Sequence, residues 1–133
     1  MIVDTSALVA IIKREHEAPA FIDRLAKAIR TGERVAISAA NLFELSLVID
    51  RLKDPGLSQR IDALLEVFHV VVVDVTRRDI DLARIGNSRF GKGSHPAKLN
   101  FGDCFAYALA KQTGEPLLFK GNDFAQTDVV SAV

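Results

Sequence analysis

Short apolar runs alternate along this chain with longer stretches in which apolar residues recur every three or four positions, and few folds accept that alternation. Ile2–Val3, Val35–Ser38, Val70–Val73 and Leu117–Phe119 read as strands. After Asp4-Thr5-Ser6, a group of helix N-cap residues, Leu8, Ile11 and Ile12 continue at helical spacing. Phe21, Ile22, Leu25 and Ile29 form a second stripe, entered at Pro19 and stopped by Thr31-Gly32. Ala39–Leu52 reads as a third helix closed by Asp54-Pro55-Gly56, and Ser58 as the cap of a fourth reaching Phe68. Thr76 starts a fifth helix through Phe90, Gly91–Pro96 is a loop, and Asn100 to Thr113 is a sixth helix ended by Gly114. Four β-branched residues in a row at Val70–Val73 suit a strand buried on both faces, and the tail Asp128–Val133 suits an additional edge strand. The expectation is an α/β fold with a central parallel sheet of four to five strands and helices on both faces. In such sheets the ligand site lies outside the carboxyl ends of the strands.

Composition narrows the setting. The 133 residues, 49% of them apolar, fit one domain over 1–133 and exclude intrinsic disorder. Cys104 is the only cysteine, so an internal disulfide is impossible, and no Cys/His cluster suggests structural zinc. The opening MIVDTSALVAIIKRE is too short an apolar run to span a membrane and has no basic leader, so a cytoplasmic protein without membrane attachment is expected. Formal net charge is zero, with 17 basic and 17 acidic residues, which gives no global support for a polyanion partner. The distribution is uneven: residues 77–120 carry 8 Lys and Arg against 4 Asp and Glu, and that stretch permits such a partner.

Four acids stand where a core-and-surface account does not want them. Asp4 ends the first strand, Glu44 is flanked by apolar residues in Leu42–Leu47, Asp103 opens the sixth helix, and Asp123 follows the last strand. Taken singly, each has a plainer reading as a cap, a turn residue, a dipole partner or a solvated helix position. Asp4, Asp103 and Asp123 are placed to point at the same edge of a parallel sheet, and the plain readings of all four together require four independent coincidences. Four converging carboxylates repel and raise one another's pKa. Divalent cations relieve that repulsion, and an all-oxygen set selects Mg²⁺ or Mn²⁺ over zinc or copper. A pair of such ions about 4 Å apart activates water and stabilises the leaving oxygen of a phosphodiester. Thr5, Ser6, Asn100 and Asn122 are candidates to orient carboxylates or water from behind, whereas Ser38 and Asn41 read as capping residues.

With these residues assembled, the chain resembles the PIN-domain ribonucleases, and more closely the VapC toxins of type II (VapBC) toxin–antitoxin systems. Asp4-Thr5-Ser6-Ala7, Glu44, Leu99-Asn100-Phe101-Gly102-Asp103-Cys104 and Phe119-Lys120-Gly121-Asn122-Asp123-Phe124 carry the likeness, in order and over essentially the whole chain. It implies a PIN-like three-layer α/β/α domain whose acidic quartet is Asp4, Glu44, Asp103 and Asp123, serving as both metal ligands and catalytic residues. It further implies Mg²⁺, with Mn²⁺ as substitute, and endoribonuclease activity on single-stranded RNA through metal-activated water. A homodimer and a VapB-like antitoxin, assembled as a toxin–antitoxin hetero-oligomer, complete the implication. Lys92, His95, Lys98 and Lys120 are candidate RNA contacts at the rim, each with an ordinary solvated loop as the plainer reading.

Two other functions fit the α/β layout less well. A receiver-like phosphoacceptor domain would use Asp74 and Lys120 but needs an adjacent acidic pair after the first strand, where only Asp4 is present. A haloacid-dehalogenase-like phosphatase needs a second Asp where Ser6 stands. A catalytically inactive binding module of the same fold would use the acids only as caps.

Overall fold

The computed structural model describes residues 1–133. Strands β1 (Ile2–Val3), β2 (Ala36–Ser38), β3 (Val71–Val73) and β4 (Leu117–Leu118) form one sheet in the order β3-β2-β1-β4, with every pairing parallel. Ile2 lies opposite Ala36 on one side and Leu117 on the other. Helices α1 (Thr5–Ile12), α2 (Ala18–Thr31), α3 (Ala39–Arg51), α4 (Pro55–Val67), α5 (Arg77–Phe90) and α6 (Phe101–Thr113) supply the outer layers. Strand alternation sorts the core into two halves. Val3, Ile37 and Leu118 pack with Leu8, Leu25, Leu45 and Ile61 from the first four helices. Ile2, Ala36 and Leu117 pack with Ala83, Tyr107 and Leu109 from α5 and α6. The expected three-layer α/β/α arrangement is thus present.

Sheet order positions the site. From β1 the chain steps outward to β2 and β3, then returns so that β4 lies on the opposite side of β1. That reversal leaves a crevice past the carboxyl ends of β1 and β4. Asp4 follows β1 there, and the turn Phe119–Asp123 follows β4.

Three local expectations are corrected. Val71–Val73 is not buried on both faces: β3 is an edge strand, with Val71 48% and Val72 44% exposed. β-Branching favours extended backbone wherever the strand lies, and it does not by itself report burial. Asp54, not Ser58, caps α4, its Oδ1 accepting the Gly56 N–H at 2.9 Å, and Pro55 occupies the first helical position, where no N–H is needed. The tail forms no strand. It adds one parallel bridge, in which the Leu117 N–H donates to Val130 and the Ala132 N–H donates to Leu117.

Helices α5 and α6 meet closely because Gly86 has no side chain. A Cβ there would lie 2.6 Å from the ring of Tyr107, which is itself buried and cannot swing aside. Gly86→Ala should lower the free energy of unfolding by about 1–3 kcal/mol through overpacking, even though alanine gains about 1 kcal/mol in helix propensity. Urea denaturation followed by circular dichroism measures the difference; a stabilised variant would contradict this packing.

Candidate active site

Asp4 is 2% exposed, an unusual burial for a carboxylate. One oxygen acts as the cap of α1: Asp4 Oδ2 accepts the Ser6 N–H at 2.9 Å and the Ser6 hydroxyl at 2.5 Å. The other, Oδ1, is buried without any hydrogen-bond partner. Burial pushes the Asp4 carboxyl up to about 6, against the pull of the Ser6 bonds and with Glu44 adding like charge.

Glu44 comes from α3 and is half-buried. Its Oε2 accepts the Thr5 hydroxyl at 2.6 Å and the Asn41 amide at 3.4 Å. The carboxylate lies directly over Gly102, near enough that a Cβ on Gly102 would collide with it. Close approach therefore requires glycine at the second position of α6. The start of that helix places partial positive charge beside Glu44 and Asp103, which favours anions there.

Asp103 and Asn100 form a reciprocal cap at the start of α6. Asn100 Oδ1 accepts the Asp103 N–H at 3.0 Å, and Asp103 Oδ2 accepts the Asn100 N–H at 2.8 Å. Burial raises the Asp103 carboxyl to about 7; the Asn100 N–H opposes the rise, and Asp4, Glu44 and Asp123 add to it as neighbouring negative charges. Asp123 is exposed and precedes the short 3₁₀ turn Phe124–Gln126, anchored by buried Phe124. All four acids thus share one electrostatic neighbourhood. As they stand, no three Asp, Glu, His or Cys side chains come close enough together to hold a cation.

Of the residues expected behind the acids, Thr5 touches Glu44, Ser6 touches Asp4, and Asn100 holds Asp103. Asn122 makes no such contact; it is exposed, and its carbonyl accepts from Gln126. Lys120 donates its backbone N–H to Ser6 Oγ at 3.0 Å, while its ammonium is held by Glu15 at 2.5 Å and Glu17 at 3.4 Å. Lys92 and Lys98 are exposed, and His95 Nδ1 accepts the Ala97 N–H while its ring meets Phe90 edge-on. Asp74 follows β3 at the far edge of the sheet, two strands from Asp4, which removes the geometry a receiver-like site would need.

Sequence reasoning missed Asn41. Ser38 does cap α3, accepting the Ala40 N–H, but Asn41 is fully buried. Its side-chain amide donates to the Gly102 carbonyl at 3.0 Å, and its backbone carbonyl accepts the Thr5 hydroxyl at 3.1 Å. Asn41 thereby ties α1, α3 and α6 together directly beneath Glu44. Two signals were available: Asn41 and Glu44 share a helix face at i, i+3, and Gly102 sits in a helix where its propensity is poor.

The comparisons with known proteins agree with one another. A PIN domain model matches residues 1–130. The chain is 48% identical to Ribonuclease VapC28 of Mycobacterium tuberculosis, covering 100% of this chain and 98% of that protein. It is 43% identical to Ribonuclease VapC of Mycolicibacterium smegmatis, covering 98% of each. Among solved structures, VapC20 of Mycobacterium tuberculosis, described as a Sarcin-Ricin loop cleaving toxin, superposes with a TM-score of 0.70 at 20% identity, over 97% of this chain and 95% of that one. At that identity the superposition bears on the fold.

The raised acids make stability depend on pH. Below the unfolded value of 3.8 both carboxyls are neutral in the folded and unfolded chain, and the stabilisation is fully present. As pH rises through the folded values of about 6 and about 7, ionisation favours the unfolded chain and that stabilisation is lost. In EDTA, the contribution of these two acids should make the thermal midpoint fall between about pH 4 and about pH 7. Asp103→Asn, which retains an acceptor for Asn100, should flatten the profile. Differential scanning fluorimetry at matched ionic strength reads both, and a profile as steep in Asp103→Asn as in the wild type would contradict the assignment.

Proposed function

The chain belongs to the PIN-domain family, among the VapC ribonucleases, and from that membership we propose that it is an Mg²⁺-dependent endoribonuclease, the toxin of a toxin–antitoxin pair. The observation that carries the metal dependence is the second oxygen of Asp4, buried and without a hydrogen-bond partner beside Glu44 and Asp103. An unpartnered buried carboxylate oxygen is costly, and coordination of a hard divalent cation offsets that cost. The donors are all carboxylate oxygens, the set that suits Mg²⁺ or Mn²⁺.

Asp4 and Asp103 are the firmest ligands, with Glu44 and Asp123 completing the quartet. The bound cation supplies Lewis acidity, which makes water a better nucleophile and offsets negative charge developing on the phosphate. Thr5 and Asn41 fix Glu44 from one side, and the absent side chain of Gly102 admits it from the other. Ser6 holds Asp4, and Asn100 holds Asp103, so neither carboxylate turns freely. Water attacks phosphorus, the bond to O3′ breaks, the water loses a proton and O3′ gains one. The products carry a 5′-phosphate and a 3′-hydroxyl.

A VapB-like antitoxin and a second copy of the chain are the protein partners in this reading, and the cytoplasm is its place of action. No helix is long and apolar enough to cross a membrane.

The test is cleavage of a loop-containing RNA by purified protein with Mg²⁺, Mn²⁺ or EDTA, beside the Asp4→Asn and Asp103→Asn variants. Cleavage should require the metal and fall at least about 100-fold in each variant, on the order of a lost metal function. Ends bearing 2′,3′-cyclic phosphate would overturn the mechanism. Gly102→Ala probes the close approach separately: the methyl group pushes Glu44 aside and should lower kcat by about tenfold or more, while the unfolding midpoint stays close to that of the wild type. Full activity in Gly102→Ala would remove Glu44 from the quartet.

A further inference from the structure

A groove of about 750 Å³ runs between α5 and α6 beside the loop 91–100, next to the acidic crevice but outside it. We infer that it binds one nucleobase of a single RNA strand adjacent to the scissile phosphate, with Phe101 as the stacking platform. The inference rests on the ribonuclease reading and adds a location and a chemistry for substrate recognition.

Phe101 is 81% exposed at the first position of α6, two residues before Asp103. Its ring meets only Phe105, edge-on at 5.0 Å, so most of its face is open. Exposing so large an apolar surface is unfavourable, and the helix start does not need it, because Asn100 provides the cap. None of the residues lining the groove is acidic, although the crevice beside it is bordered by four acids. Arg84 and Lys92 contribute positive charge, and neither is engaged in an ion pair. The side chain of Asn87 makes no hydrogen bond within the chain, which leaves it able to meet the polar edge of a base.

This combination matches a nucleotide better than an apolar protein segment. A base presents a π face to Phe101 and a polar edge to Asn87, and the flanking phosphates meet Arg84 and Lys92. Single-stranded nucleic acid is commonly held in this way, by aromatic stacking plus cations along the backbone. An apolar helix would bury the same amide and cations unpaired. Continuity with the crevice is direct, since Asn100 lines the groove and also holds Asp103.

The experiment uses a single-stranded oligoribonucleotide containing 4-thiouridine, photocrosslinked to the full chain in EDTA, together with steady-state cleavage in Mg²⁺. Crosslinks should map to the segment containing Phe101. Phe101→Ala should weaken binding in EDTA and raise KM by about tenfold, with kcat changed much less; Phe101→Trp should restore both. Crosslinks confined to other surfaces, or unchanged KM and binding in Phe101→Ala, would overturn the groove while metal-dependent cleavage by the wild type still stood. Wild-type crosslinking at Phe101 without cleavage would leave RNA in the groove but sink the nuclease reading, and with it the placement beside a scissile phosphate. A change from dimer to monomer in Phe101→Ala, measured by sedimentation, would instead make the groove a contact between copies of the chain and overturn the inference.

Discussion

Asp4 is drawn into the interior by the strand it ends. Ile2 and Val3 are completely buried, one on each face of the sheet, and the chain turns into α1 immediately afterwards. The carboxylate is almost wholly withdrawn from bulk water, and the site around it is organised by that constraint. Ser6 satisfies one oxygen twice over. Lys120, arriving from the neighbouring strand β4, donates its backbone N–H to the same Ser6 hydroxyl. Apolar packing thus sets the electrostatic problem, and short polar side chains from adjacent turns solve half of it.

The start of α6 shows how one local structure serves stability and chemistry together. Asp103 is both a helix cap and a member of the acidic group, and its hydrogen bond with Asn100 holds it while leaving its second oxygen to the crevice. Capping a helix and belonging to the acidic group are therefore not competing roles for such a residue. The same holds for Asp4, whose two oxygens do different things. Gly102 completes the arrangement by letting a carboxylate from another helix lie against the backbone. Any side chain at that position would exclude it.

Element order, the parallel sheet and the four acids were legible in the sequence because each follows from local pattern: period, cap residues and acids just past apolar runs. What escaped depends on contacts between distant segments. Val71 and Val72 are β-branched and apolar, yet only the sheet order shows that nothing covers them. Asn41 looked like a cap, since its partners Thr5 and Gly102 lie 36 and 61 residues away in the chain. Lys120 looked like a rim cation, but its ammonium faces Glu15 and Glu17 of the loop before α2. Asn122 shares a turn with Asp123 without sharing its surroundings, because successive turn residues point in different directions.

The position of β1 between β2 and β4 also bears on when the site can exist during synthesis. Asp4 is made before the strand that pairs with β1 on its open side and before the turn bearing Asp123. Until Leu117 and Leu118 arrive, β1 lacks one of its neighbours, Asp4 lacks the Lys120–Ser6 tie, and the quartet is incomplete. A growing chain is therefore without its assembled crevice until β4 and the turn after it have been made. Asp4 waits for Asp123.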